Sequence, residues 1–383
     1  MNDINCKMKL FADDTALYII VENPTIAINT INNDLSKIHV WANKWLVKFN
    51  PDKTESLLIS RKTIPGTYDP ITMDNVNVSN VKSHKHLGVL MSDDGTWKKH
   101  IDHILKKVSP RLAVLRNLKN ILDRNSLQTI YFAFIRPILE YSDVVWDSLP
   151  NYLCQNLENI QIEAARIVTG ATKLSSISLL YKDVGWEKLS KRRENHKLLQ
   201  FHKMYHKKTP FYLSSLIPSK VSDTHRHDTR NSNNLLLINC RTQFYKTSFL
   251  NSSVHLWNSF PTDIRENPSV RIFKRFLQKD KVMIPHYFNI GSRNLQILHT
   301  RLRLKCSNLK QHLYLRNLEE SPFCSCGLVE STHHFLLSCA NYNIIRQNTL
   351  LQLDITLNEK TLLWGNDTYS KQKNEQIFLT VQT

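Results

Sequence analysis

Glycine is scarce in this chain: 8 of 383 residues, where about 7% is usual. Glycine is the residue that lets backbone fold closely around a phosphate. So few of them argue against a glycine-rich nucleotide cradle, and neither a Walker loop nor a G-x-G-x-x-G run occurs. The same shortage favours helices. Hydrophobic residues make up 41% of the chain, enough for a sizeable core spread over roughly two or three domains.

Charge points to a partner. Lys+Arg total 51 and Asp+Glu 33, a net charge of +18 with pI ≈ 9.5. Such an excess suits a polyanion, nucleic acid first and an anionic membrane surface second; a solvated basic surface is the plainer alternative. No apolar run approaches the ~18 residues of a membrane span, and the first residues lack a signal-peptide core. Cys6, Cys154, Cys240 and Cys306 are scattered while Cys324, Cys326 and Cys339 cluster. That usage indicates a reducing intracellular compartment, nucleus or cytoplasm, with one metal site rather than a disulfide framework.

The order of elements reads as α+β. Residues 7–20 alternate as a hairpin turning at Asp13-Asp14. Ile28, Ile31, Leu35, Ile38, Ala42, Trp45 and Phe49 form one apolar helix face after Asn23-Pro24-Thr25, with Thr25 as a candidate cap and Asn50-Pro51-Asp52 as the stop. Short strands follow near 55–60, 71–73 and 86–91, with Asp93-Asp94-Gly95 as a turn. Helices are then expected near 97–120, 124–141, 151–169, 186–207, 251–258, 269–279, 293–306 and 340–353, the first kinked or broken by Pro110.

Several short motifs lie in a telling order. Leu10-Phe11-Ala12-Asp13-Asp14-Thr15-Ala16-Leu17 sets two carboxylates on a hairpin. Asn50-Pro51-Asp52-Lys53-Thr54 and His86-Leu87-Gly88-Val89 come next, then Ile138-Leu139-Glu140-Tyr141-Ser142-Asp143-Val144-Val145-Trp146. Taken alone, an Asp pair at a turn is ordinary turn chemistry, Lys53 an exposed turn lysine, and Gly88 a bulge glycine in a half-buried strand. Together, over most of residues 1–346, they resemble the reverse transcriptases of non-LTR (LINE-like) retrotransposons. Leu157-Glu158-Asn159-Ile160-Gln161 with Ala164-Ala165-Arg166, and Thr247-Ser248-Phe249 with Leu256-Trp257-Asn258, extend the likeness.

The resemblance implies a partial polymerase palm at 1–95, a helical thumb-like region at 96–208, a linker at 209–235, a second helical region at 236–320, a Cys/His knuckle at 321–346 and a C-terminal tail at 347–383. It implies that Asp13 is the essential Mg²⁺ ligand and Asp14 the accessory one, in two-metal chemistry that activates a primer hydroxyl. Lys53 would lie near the incoming triphosphate, and Leu87-Gly88 would sit in a strand turn that holds the primer end. It also implies a further essential Asp on a strand well upstream. Twelve residues precede Asp13, and Asp3, in the short run Asn2-Asp3-Ile4, does not match that position. The chain alone is therefore expected not to polymerise DNA, although its full-length relative would copy an RNA template from a DNA primer or target. The alternative is a nucleic-acid-binding module without polymerase activity.

Two further features concern binding. Cys324, Cys326, His334 and Cys339 have the spacing C-x-C-x7-H-x4-C, four soft ligands suited to tetrahedral Zn²⁺, with Gly327 free to turn tightly after the second thiol. The same run resembles a knuckle near the C-terminus of many non-LTR reverse transcriptases, with His334 rather than His333 as ligand. Lys188, Lys191, Arg192, Arg193 and Lys197 open a basic amphipathic helix expected to meet a phosphate backbone. Arg271, Lys274, Arg275, Lys279 and Lys281 form a second basic stretch, and Arg301, Arg303, Lys305 and Lys310 a third. His225-Arg226-His227-Asp228 is a weak candidate for metal binding or base catalysis, and no hydrolase motif such as G-x-S-x-G or H-E-x-x-H occurs.

Overall fold

A computed structural model of the chain describes residues 4–61, 69–223, 232–278, 284 and 286–382. Asn2 and Asp3, the His225-Arg226-His227-Asp228 run, and Lys279 and Lys281 lie outside the described residues. Helix and strand are both present, and the chain divides into two compact units, Met1–His103 and Ile104–Thr383.

The first unit carries all the sheet among the described strands, as four two-stranded pieces. Strands β1 (Lys7–Phe11) and β2 (Asp14–Tyr18) pair antiparallel, with Phe11 opposite Asp14. The turn is therefore Ala12-Asp13, one residue earlier than the sequence suggests. Ala12 takes φ 51°, the left-handed value that the first position of a two-residue hairpin loop requires. Helix α1 (Pro24–Lys44) is capped by Asn23, not Thr25: the Asn23 side chain accepts the Ile26 amide at 3.3 Å. Its buried face holds Ala27, Leu35, Ile38 and Ala42, while Trp45 is exposed beyond its end. Asp34 is buried on that same face because it accepts the amides of Asn5 at 2.8 Å and Cys6 at 2.7 Å. Burial opposes its charge, but the Cys6 amide, its strongest hydrogen-bond donor, wins and keeps the carboxyl below its usual range. The same proximity and burial push the Cys6 thiol up to about 11.

The remaining strands are short. β3 (Glu55–Ser56) runs parallel to β6 (Ser79–Asn80), and β4 (Thr72–Met73) turns through Asp74-Asn75 into β5 (Val76–Asn77). The single strand expected near 86–91 is instead a hairpin. β7 (Ser83–His86) returns as β8 (Val89–Ser92) through Leu87 and Gly88, at φ 45° and 84°. Two successive left-handed residues match the type I′ turn that fits strand twist, so Gly88 makes the strand turn that the resemblance implies rather than a bulge.

Helices dominate the second unit. α2 (Lys98–Asn117) enters it and runs through Pro110, which lies on the exposed side with Lys106, so water can take the carbonyl that proline leaves without a helical donor. α3 (Arg124–Ile130) continues through a π-helical turn, Tyr131–Ile135. Leu127, Tyr131, Ile135 and Leu139 recur every four residues as a fully buried stripe. α4 (Asn151–Thr169) and α5 (Ile177–Val184) both end on left-handed glycines, Gly170 and Gly185. α6 (Leu189–Tyr205), α7 (Phe249–Asn258) and α8 (Val270–Leu277) share a core of Leu198, Phe201, Val254, Trp257 and Phe273. Leu235, at the end of the stretch read as a linker, is buried in that core, so the helices before and after it pack together.

The last residues also have a core. α9 (Arg293–Arg303) precedes the Cys/His segment, and α10 (Glu359–Trp364) and α11 (Lys371–Gln382) follow it. Leu362, Leu363, Ile377 and Phe378 pack against Tyr287, Phe288 and Leu336. The tail without a recognisable motif is thus folded. Among the described residues no helix is long and apolar enough to cross a membrane.

Candidate functional site

The β1–β2 tip presents the aspartates to solvent. Asp13 is in the loop, Asp14 is the first residue of β2, and both are exposed. Mg²⁺ is commonly held by one or two carboxylates and completed by water and phosphate, which these residues can provide. A two-metal centre needs more, and among the described residues no third carboxylate, His or Cys joins them in a cluster. Lys53 ends a self-capped turn, Pro51–Lys53, in which the Asn50 side chain accepts the Asp52 amide at 3.0 Å. Its side chain is exposed.

The Cys/His segment is a different case. The donor atoms of Cys324, Cys326, His334 and Cys339 all lie within 4.8 Å of one another. Cys324 Sγ is 3.7 Å from Cys339 Sγ, and Cys326 Sγ is 4.0 Å from Cys339 Sγ. Bonds of about 2.3 Å at a tetrahedral angle set S···S near ~3.8 Å, whereas a disulfide needs about 2.05 Å. Nε2 of His334 faces Cys326 Sγ at 3.1 Å, and His333 points to solvent. The chemistry of three thiols and one imidazole fits Zn²⁺ better than a hard cation.

Two turns build this cluster. In the first, the Cys324 amide donates to Leu328 O at 2.8 Å and the Gly327 amide to Cys324 O at 2.9 Å. Gly327 has φ 88° and open space around its missing side chain, so backbone conformation is what calls for glycine. In the second, a π-helical turn at His334–Ser338 closes with the Cys339 amide on His334 O at 2.8 Å. That i to i+5 closure brings the two ligands of H-x4-C to one side. Asn341 donates to Ser325 Oγ at 2.8 Å and Cys324 Sγ at 3.8 Å, and Arg346 donates to the Cys339 carbonyl. Burial raises the Cys339 thiol, while the Cys326 amide, followed by His334, lowers Cys324.

The basic helix α6 departs from expectation. Arg193 and Lys197 are buried and bind Asp147, at 3.0 Å and 2.5 Å. Arg192 pairs with Glu140, its Nη2 at 3.0 Å from Oε2. Arg193 and Lys197 therefore hold the helix to the Asp143–Asp147 segment and do not face a phosphate in this structure. Lys188 and Lys191 remain exposed, with Lys191 on Glu194. In the other basic stretches Arg271, Lys274, Arg275 and Lys305 are exposed, whereas Arg303 is buried on Asp183 at 2.9 Å.

Comparison with known proteins follows the motifs. The chain is 22% identical over 189 residues to the probable RNA-directed DNA polymerase from transposon BS of Drosophila melanogaster, covering 49% of this chain and 21% of the relative. It is 24% identical over 179 residues to that of the D. melanogaster transposon X-element, covering 45% and 19%. The RNA-directed DNA polymerase from the D. melanogaster mobile element jockey is 22% identical over 190 residues, covering 48% and 20%. The chain resembles non-LTR retrotransposon reverse transcriptases. The matches span only about a fifth of these relatives' length. No protein-family profile and no solved structure matches the chain.

Proposed function

We propose that this chain is the C-terminal part of a non-LTR retrotransposon reverse transcriptase, with a partial palm, a helical thumb-like region and a zinc knuckle. It acts on nucleic acid inside the cell and does not extend a primer by itself. The observation that carries the reading is the Asp13 loop on the β1–β2 hairpin, within a chain similar to transposon polymerases. The hairpin also argues for inactivity in isolation. Leu10 and Phe11 beside the tip are 65% and 64% exposed, and two strands alone hold a tip poorly. Two carboxylates without a third partner would hold Mg²⁺ weakly, and Lys53 would meet a triphosphate only if further protein formed the opposite wall.

Primer extension on an RNA template with Mg²⁺ and deoxynucleotides tests this reading. The expected result is no product from the purified chain; clear extension overturns the claim of inactivity. The second reading, a nucleic-acid-binding module, is favoured by the Cys324, Cys326, His334 and Cys339 cluster. Zn²⁺, when bound there, supplies a structural cross-link between two turns.

A further inference from the structure

A cavity of about 440 Å³ opens where the end of α2, the C-terminal turn of α4 and one face of α9 meet. Arg116, Lys119, Arg166, Lys173, Arg293 and Arg301 line it, and Glu163 is the only acidic lining residue. We propose that this cavity is a phosphate-binding site that seats the backbone of a nucleic-acid strand. The choice of ligand rests on the function proposed above; the cationic cavity does not.

Helix α4 ends at the cavity, and the partial negative charge of a helix C-terminus, roughly half a unit, would oppose an anion. Arg293 removes much of that opposition. Its guanidinium donates to Lys119 O at 2.8 Å, Val168 O at 2.7 Å and Ile167 O at 2.8 Å, so it holds α9 against α4 and covers the free carbonyls. Burial lowers its pKa only to about 10, so it stays charged. Arg301 donates to Gly170 O at 3.0 Å in the same way. These two form the fixed wall.

The remaining cations are available to a ligand. Arg116 shares Glu163 with Arg166, at 3.1 Å and 3.9 Å, so one carboxylate balances two guanidinium groups. The Arg166 side chain is 20% exposed, and its guanidinium lines the cavity beside that of Arg116, a pair of charged donors suited to phosphate oxygens. Lys119 and Lys173 are exposed at the rim. The apolar side of the cavity is Ile167 and Ile297; Ile297 presses so closely on Gly170 that a Cβ there would sit 2.4 Å from it. Several cations around an open, rigidly supported cavity suit successive phosphodiesters, which position a strand without reading its sequence.

The test uses the full chain and a fluorescein-labelled oligo-dT of about 15 nucleotides, read by anisotropy between about 50 and 200 mM salt. The variant K119Q/K173Q removes two rim charges without touching the wall. It should weaken binding about tenfold at the lower salt and reduce the salt slope by about 1.4, the value for two single-strand phosphate contacts. K371Q/K373Q, a matched double on α11, should bind like the parent chain. If the parent binds and K119Q/K173Q binds equally, or the two doubles lose equally, the cavity is not the site although the nucleic-acid reading stands. If the parent does not bind, both fail. Competition by micromolar inorganic phosphate at constant ionic strength would assign the cavity to free phosphate and overturn the strand.

Discussion

Asp183 shows how this basic chain places its charge. It is fully buried between Arg303 at 2.9 Å and Arg124 at 3.2 Å. Burial opposes its ionisation, but Arg303 and then Arg124 outweigh it and keep the carboxyl below its usual range. Removing one member of such a network leaves uncompensated buried charge. D183N should therefore cost about 3–5 kcal/mol in urea unfolding, and a loss under about 1 kcal/mol would be that of an exposed site. Buried histidines give the chain a pH dependence. Burial lowers His100 and His312 to about 4 and His299 well below its normal value. The unfolded chain takes up these protons near pH ~6.5 while the folded chain resists until lower pH. Stability is thus fully present above about pH 6.5 and falls as the pH drops towards about 4. Melting temperatures across that window should fall steadily, and a flat profile between about pH 7 and 5 contradicts this. None of these partnerships has a sequence signature. Arg193 and Lys197 look like one charged surface in a linear reading because Asp147 lies 46 residues before Arg193.

At the scale of elements, local patterns are legible and distant ones are not. The helix at 151–169 occurs with the expected bounds, and the Cys/His ligands come together as their spacing suggests. Both depend on residues within a few turns of each other. The same holds for the β1–β2 hairpin, although its turn moved by one residue to put Ala12, rather than an aspartate, in the first loop position. Near 86–91 apolar patterning alone gives one strand, because left-handed backbone at Leu87 leaves no mark in an apolar residue, whereas the family resemblance implies the strand turn that Leu87-Gly88 makes. The cationic cavity draws on residues from Arg116 to Arg301, so no run announces it. The knuckle yields a direct prediction. If Zn²⁺ joins the two turns, chelation lowers the melting temperature, and C339S purifies with less than about one zinc per chain. An unchanged melting temperature on chelation and no metal in the parent chain would remove the ion from the account.

For the whole chain, the net charge of +18 taken by itself points to basic helices facing a polyanion. Part of that charge is internal, with Arg124, Arg193, Lys197 and Arg303 buried against Asp147 and Asp183. What reaches solvent includes Lys188, Lys191, Arg271, Lys274, Arg275 and the cavity rim. Through such groups a chain similar to transposon polymerases is expected to hold nucleic acid without a complete polymerase centre. Binding of the full chain to a primed RNA template, followed by anisotropy as salt rises, tests it most directly. Binding is expected at about 50 mM salt and should weaken steeply and linearly in log–log form towards about 200 mM. Absence of binding at the lower salt, or affinity indifferent to salt, would contradict it.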